Sequence, residues 1–413
     1  MTPSRYPAPP AWAHALATVA VTGTNGKSSA VHWVAAALRS VDPKVVRVST
    51  LGSAIGDEQL AVPADHDALV ALLARARAAG ARHAALEVTS AALALGFAKA
   101  WPCRVALFTN LSEDHLDLHR SAEHYLASKA QLFVHLPADG VAVLPARDPA
   151  SALLAEVLPP GVRLWRYGVA EGADGLAADL VARDVVVSWQ GSRARLELGP
   201  ALAAAWQARA PGEPLPDALA VPAPGQHFLE NALGALLAAT EAGVAPAAAV
   251  RVLCATPAPA GRFERVWREP CVVVDYAHTP DALGRTLATA RLLCRARVIA
   301  VVGAGGDRDK DKRAPMGREA ARADVVIVTS DNPRGEEPGA IAAAVRAGLE
   351  GHPHVETELD RRAAIARALA LARPDDLVLV CGKGHERSET RAGVERPFDD
   401  AAVVRAVAAA LRS

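Results

Sequence analysis

The chain is expected to be an α/β protein with two domains, each built on a largely parallel sheet with helices on its faces. Three observations predict this. Short apolar, β-rich runs alternate with helix-length stretches from Ala17 onward, a glycine turn closes the first of those runs, and a second alternating series begins near Gly261. At 413 residues the chain is also too long for one compact core.

Ala17 to Thr22 reads as the first strand, Gly23-Thr24-Asn25-Gly26-Lys27-Ser28 as a turn, and Ser29 to Leu38 as a helix. Further strands are expected at Val45–Val48, Ala84–Val88 and Val105–Phe108, with helices between them. From Leu164 to Leu198 the pattern changes to short alternating runs such as Val185 to Trp189, which predicts a small antiparallel patch. Ala208 to Pro224 is rich in Pro and Ala and reads as a surface loop. The second series supplies strands at Val272–Tyr276, Val298–Val302, Val325–Thr329 and Leu377–Val380, and a last helix over Ala401–Leu411. The expected division is an N-terminal tail over 1–14, a central domain over 15–262 and a C-terminal domain over 263–413. In such sheets ligands bind at the carboxyl ends of the strands.

Composition narrows the function. No apolar run approaches the ~20 residues that span a bilayer, and the proline-rich stretch Met1 to Trp12 has no signal-peptide core. Membrane partners are therefore not expected. Formal charge is zero with no basic block, which argues against nucleic acid. Five scattered cysteines (Cys103, Cys254, Cys271, Cys294, Cys381) fit buried thiols in a reducing cytoplasm better than disulfides or a zinc site.

The glycine turn carries the first chemistry. Glycines let backbone N–H groups approach phosphate oxygens, and the helix N-terminus adds positive potential. Gly23, Thr24, Asn25, Gly26 and Ser29 would line a triphosphate, Lys27 would reach its β- and γ-phosphates, and the Ser28 hydroxyl would ligate Mg²⁺. The spacing is tighter than the usual P-loop, but strand, turn and helix follow in the required order.

T-G-T-N-G-K-S over 22–28 resembles the phosphate loop of the Mur ligase superfamily, and further motifs follow in that family's order. They are Glu87-Val88-Thr89-Ser90, Thr109 to Asp117 (TNLSEDHLD), Tyr125 to Phe133 (YLASKAQLF) and Gly261-Arg262-Phe263-Glu264. Asp275 to Asp281 (DYAHTPD), Gly305 to Lys310 (GGDRDK), Asp331-Asn332-Pro333-Arg334 and Gly382 to Glu386 (GKGHE) complete the set. The resemblance runs from about residue 17 to the end and is strongest to the UDP-N-acetylmuramoyl-tripeptide synthetases of that family. It implies a P-loop central domain and a Rossmann-like C-terminal domain that holds the amino acid.

The resemblance also implies roles. Glu87 would complete the Mg²⁺ shell that Ser28 begins, and His115 would hold a second Mg²⁺. Lys129 would be carbamoylated by CO₂, becoming an anion that helps hold that second ion; the amine must first lose its proton. Asn231 matches an adenine contact, although Phe228 stands where the family usually has another Asn. Arg262 would meet the terminal phosphate and Asp275 the ribose, so Lys27, His115, Lys129 and Arg262 form the implied catalytic set. Asp331-Asn332-Pro333-Arg334 resembles the form found in enzymes that add meso-diaminopimelate, with Arg308, Gly382 and Glu386 around that amino acid. A guanidinium suits bidentate capture of a carboxylate. Without the motifs, Lys129 would read as an exposed helical lysine, Arg262 as a hinge cation and Arg334 as a solvated loop residue.

Some positions depart from the pattern. Full-length tripeptide synthetases carry a UDP-binding domain before the phosphate loop, where this sequence has only the stretch to Thr22. The family's E-V-S-S-H motif ends here in Ala91, and an arginine that approaches the nucleotide-sugar is replaced near Phe97. The expectation is therefore an ATP-dependent ligase that makes an acyl phosphate and adds a diaminopimelate-like or other carboxylate-bearing amino acid. Its acid would be a small metabolite, a peptide, or a substrate delivered by a partner protein, rather than UDP-muramoyl dipeptide. The alternatives are an ordinary tripeptide synthetase, a ligase of the folylpolyglutamate or cyanophycin type, and a nucleotide-binding subunit without turnover.

Overall fold

The computed structural model describes residues 5–63, 65–114, 116–172 and 175–411. His115 lies outside them. The chain divides into two compact units, one of residues 1–112, 119–186 and 190–257, the other of 113–118, 187–189 and 258–413.

In the first unit the strands are β1 (Ala17–Thr22), β2 (Val46–Ser49), β3 (Gly52–Ile55), β4 (Glu58–Leu60), β5 (His83–Glu87) and β6 (Val105–Phe108). They continue as β7 (Val141–Pro145), β8 (Arg163–Val169), β9 (Leu180–Ser188), β10 (Gly191–Leu198) and β11 (Ala218–Val221). All join one sheet in the order β11-β10-β9-β8-β7-β6-β1-β5-β2-β3-β4. Central β1 is parallel to β5 and β6, with Val21 opposite Glu87 and Thr22 opposite Phe108. That register brings three strand ends together beside the glycine turn, as parallel sheets require of a ligand site. Val19, Ala20 and Val21 are fully buried because helices cover both faces. Helix Gln226–Glu241 presses so closely on the sheet that a Cβ on Gly234 would lie 2.8 Å from Leu107 Cδ1.

The antiparallel patch expected over Leu164 to Leu198 lies at its C-terminal end, where β10 pairs antiparallel with β11, while β8 pairs in parallel with both β7 and β9 and extends the main sheet. Its alternating pattern reflects strands whose outer face meets solvent. One expectation fails here: Ala208–Pro224 is not a surface loop throughout. It contains β11, antiparallel to β10, and buries Leu219 and Val221; the prolines flank this edge strand, where they disrupt no ladder. The antiparallel ribbon β2-β3-β4 at the other edge was not anticipated.

The second unit holds β12 (Glu264–Trp267), β13 (Cys271–Asp275), β14 (Val298–Val302), β15 (Val325–Val328), β16 (Val355–Thr357) and β17 (Leu377–Cys381). Their order is β12-β13-β17-β14-β15-β16, parallel except for the edge strand β12. A two-stranded ribbon, β18 (Ser388–Arg391) and β19 (Val394–Pro397), lies apart from that sheet. Val272, Val274, Ile299, Val301, Val378 and Val380 form a valine-rich core. Within it Arg361 and Asp400, each at the start of a helix, make a buried ion pair of 2.7 Å.

All five cysteines are free. Burial pushes the Cys103 thiol up to about 12, so it stays protonated and inert. Among the described residues no helix is long and apolar enough to cross a membrane.

Candidate active site

The phosphate loop is shaped by its two glycines. Gly26 caps helix Lys27–Arg39 with φ +83°, a left-handed conformation that glycine adopts without strain. A Cβ there would lie 2.2 Å from Asn231 Oδ1, and one on Gly23 would lie 1.9 Å from Thr109 Oγ1. Neither position has room for a side chain. The segment after β6 clamps the loop: Asn110 Oδ1 accepts from Asn25 N at 2.9 Å, and Thr109 Oγ1 donates to Asn25 O at 2.6 Å. Thr24 Oγ1 lies 3.2 Å from Tyr125 OH and accepts from Ser112 N at 3.0 Å. Lys27 Nζ curls back to Thr24 O at 2.8 Å, poised above the loop where phosphates would sit.

Ser28 Oγ donates to Glu87 Oε2 at 2.9 Å and lies 2.9 Å from Thr50 Oγ1. Thr50 N also donates to Glu87 Oε2, at 3.1 Å. These are hard oxygen donors on three elements: the first turn of the helix, the end of β5 and the β2-β3 turn. They fit Mg²⁺, which takes one or two protein oxygens and fills its shell with water and substrate phosphates. Thr50 escaped sequence reasoning because a lone Thr in a turn carries no motif.

Lys129 is 1% exposed, with Nζ 2.6 Å from Gly23 O and 4.3 Å from the centre of the Tyr125 ring. The helical lysine therefore points inward, at the base of the phosphate loop. A carbamoyl group there would place a carboxylate-like anion beside the triphosphate site, where a second Mg²⁺ could use it. Asn231, expected at the adenine, is 7% exposed and packs against Gly26. His119, buried behind this segment, hydrogen-bonds Ser90 Oγ at 2.9 Å through Nε2.

In the second unit Arg262 and Asp275 flank the turn into β12. Arg262 lies 4.3 Å over the Tyr276 ring. Asp275 accepts from Phe263 N at 2.6 Å, Ala277 N at 2.8 Å and Thr286 Oγ1 at 3.2 Å. Burial raises its pKa, opposed by Arg262 and those hydrogen bonds. Three of its roughly four lone-pair sites are occupied, which leaves about one for a ribose hydroxyl.

The expected amino-acid site assembles at the ends of β14, β15 and β17. Asn332 Nδ2 donates to Glu386 Oε2 at 2.7 Å, and fully buried Lys383 donates to Asn332 Oδ1 at 3.1 Å and Glu386 Oε2 at 3.4 Å. Lys383 Nζ is also 3.6 Å from Asp331 Oδ1. Gly382, at φ +116°, passes so close to Asp331 that a Cβ would lie 2.6 Å from Oδ2. Lys383 is thus the hub of this network, overlooked in sequence because it reads as one more loop lysine.

Arg334 has φ +51°, unusual for a side chain of its size, and its backbone is pinned by Arg334 N to Thr390 O at 2.9 Å. Its Nη1 donates to Gly306 O at 2.7 Å. A Cβ on Gly305 would approach Arg334 Nη1 at 2.9 Å and Arg308 Cγ at 3.8 Å, so both arginines flank that glycine. Glu386 is engaged by Asn332 and Lys383.

Comparison with known proteins identifies the family. The model of the Mur ligase middle domain matches residues 21–239, and that of the Mur ligase glutamate ligase domain matches 261–384. A UDP-N-acetylmuramoyl-L-alanyl-D-glutamate–2,6-diaminopimelate ligase of Xylella fastidiosa is 38% identical over 96% of this chain and 78% of its own length. One of Streptomyces avermitilis is 38% identical over 94% and 75%. A solved structure of a ligase of that name superposes with TM-score 0.62 at 32% identity, covering 96% of this chain and 79% of the other. The folylpolyglutamate synthase of Mycobacterium tuberculosis, at 22% identity, TM-score 0.69 and coverage of 90% and 89%, shares the fold. The chain belongs to the Mur ligase family, and it is an ATP-dependent, ADP-forming acid–amino-acid ligase.

Proposed function

We propose that this Mur ligase couples a carboxylate to the amine of a diaminopimelate-type amino acid in the cytoplasm. The observation that carries the choice of amino acid is the pair of guanidiniums, Arg308 and Arg334, beside the Asn332–Glu386–Lys383 network. Only Nη1 of Arg334 is hydrogen-bonded among the described residues, which leaves Nε and Nη2 for a carboxylate held by two parallel bonds. Glu386 and Asp331 supply the negative charge that an ammonium requires. Diaminopimelate carries both kinds of group at each end.

In this reading Lys27 holds the β- and γ-phosphates, and Ser28, Thr50 and Glu87 hold a Mg²⁺ that offsets repulsion between carboxylate and triphosphate. Arg262 stabilises charge on the transferring phosphoryl group. The carboxylate takes the γ-phosphoryl group, ADP departs, and the amine then displaces phosphate to leave the amide. Lys129, with His115, is the proposed holder of a second Mg²⁺ once its amine has taken up CO₂. Its burial beside Gly23 supports that role.

The acid is a separate matter. The relatives are named for UDP-N-acetylmuramoyl-L-alanyl-D-glutamate, and a different acid rests on Ala91 and Phe97 in the sequence. ADP formation over a matrix of acids and amino acids tests both halves. Diaminopimelate should outcompete Ala, Leu and Lys, and Arg334→Ala should raise its KM at least tenfold with KM for ATP unchanged. An apolar amino acid or lysine as best acceptor refutes the amino-acid assignment.

A further inference from the structure

A cleft of about 720 Å³ opens in the first unit, reaching from Thr50 and Glu87 at one end to Tyr6 and His66. This is an ordinary size for a small-molecule site. Between those ends its walls are mostly apolar, with Val48, Leu60, Val62, Leu69, Val88 and Phe97, and also carry Ser49, Ser53 and Thr89. Among the described residues the carboxylates lining it are Asp65 and Glu87, with no Lys or Arg. Asp65 is occupied as a helix cap, accepting from Ala68 N at 2.8 Å, and Glu87 is held by Ser28 and Thr50.

His66 is the anomaly. Its side chain is only 9% exposed, and neither ring nitrogen has a hydrogen-bond partner among the described residues. The nearest carboxylate oxygen, Asp67 Oδ1, is 3.7 Å from Nδ1, beyond hydrogen-bond range. Stacking on Tyr6, with ring centres 4.6 Å apart and planes 18° from parallel, fixes the imidazole in place. A buried ring without partners is unfavourable, and a ligand group in the cleft would relieve that.

We propose that this cleft holds the body of the carboxylate substrate, and that this body is uncharged and largely apolar. Its carboxylate lies at the Thr50–Glu87 end, beside the phosphate loop, and one amide or carbonyl group hydrogen-bonds His66. An acyl- or aryl-capped amino acid has this chemistry. A diphosphate does not, since it would meet two carboxylates and no cation. The inference rests on the ligase reading, because only a phosphoryl donor at Lys27 makes the Thr50–Glu87 end the reacting end.

The test is calorimetric binding of N-benzoyl-alanine and of UDP-N-acetylmuramoyl-L-alanyl-D-glutamate to the full chain, with and without Mg²⁺ and a non-hydrolysable ATP analogue. Val62→Trp fills the cleft, while His66→Phe keeps the stack on Tyr6 and removes the nitrogens. N-benzoyl-alanine should bind the unaltered protein. Val62→Trp should weaken it more than tenfold and His66→Phe about tenfold, with affinity for the ATP analogue unchanged in both. That unchanged affinity also shows that the variants fold. Failure of N-benzoyl-alanine to bind, or binding unmoved by both variants, overturns the proposal. So does binding of the UDP compound that neither variant affects. ADP formation by the unaltered protein reports separately on the ligase reading, which survives those outcomes if any acid supports turnover.

Discussion

Replacing Arg361 tests how the second unit holds its amino-acid loops. Its Nε and Nη2 grip both oxygens of Asp400 at 2.8 and 2.7 Å. Nη1 donates to Ser330 O at 3.1 Å, just past β15, and Nη2 to Cys381 O at 2.9 Å, at the end of β17. Those carbonyls immediately precede Asp331 and Gly382, so one guanidinium ties together the strand ends from which both loops depart. Arg361→Met leaves Asp400, fully buried, without its counter-charge, which should cost about 3–5 kcal/mol. Replacing both partners with apolar residues removes the stranded charge, so Arg361→Met with Asp400→Leu should recover most of that loss. It should not recover substrate affinity, because the bonds to Ser330 and Cys381 stay broken. Urea unfolding of the single and double variants gives the first number. KM for the amino acid against KM for ATP gives the second, with only the former raised. A loss below about 1 kcal/mol in Arg361→Met, or equal changes in both KM values, would refute this reasoning.

Other outcomes follow from the first unit and from one histidine. Lys27→Ala should abolish ADP formation while leaving the unfolding midpoint near that of the parent, since its bond to Thr24 O is a single local contact; turnover near the parent rate would remove the phosphate loop from the mechanism. Glu87→Gln keeps the shape but removes the negative charge, and should raise the Mg²⁺ concentration needed for half-maximal rate. Lys129→Ala should lose activity, with part of it restored by short carboxylic acids that supply the missing anion; no rescue, and no ¹³C-carbamate signal from the parent in labelled bicarbonate, would exclude the modification. Burial, with help from Lys312, lowers the His278 pKa from 6.5 to about 3. Between those values the unfolded chain holds the extra proton, so stability present above pH 6.5 is lost as pH falls, by up to about 1.4 kcal/mol per pH unit. His278→Gln should flatten that acid limb in denaturation measured across pH, and an unchanged slope would show that His278 is not its source.

Strands β1, β6 and β14 were legible to the residue because each is a short, mostly apolar run ended by glycine or a polar turn. Signals of that kind are local. The edge strand β11 and its neighbour β10 were harder, since strands at the rim of a sheet are half solvated and their pattern resembles a polar loop with stray apolar residues. The same distinction divides the site. Gly23 to Ser28 act through consecutive backbone groups, so their sequence must be contiguous. Thr50 reaches Glu87 only because β2 and β5 are neighbours, and Lys383 reaches Asp331 only because β17 and β15 flank β14. No linear spacing encodes either pair.

This difference bears on what the family resemblance can carry. Phosphoryl transfer needs fixed backbone donors and a metal at one place, so the residues proposed to perform it lie in short motifs. In the proposed reading, selection of the acid depends on side chains drawn from Tyr6, the β2-β4 ribbon, the His66 helix and Phe97, positions spread over the first unit with no spacing rule between them. Each can change alone without touching Ser28, Thr50 or Glu87. A sequence can therefore keep the phosphate loop and metal-side residues of the ligase while its acid pocket changes character. An apolar, cation-free cleft ending on the Mg²⁺ side chains is what such a change would leave. Identity of 38% to diaminopimelate ligases thus informs the reaction and the amine far more than the acid.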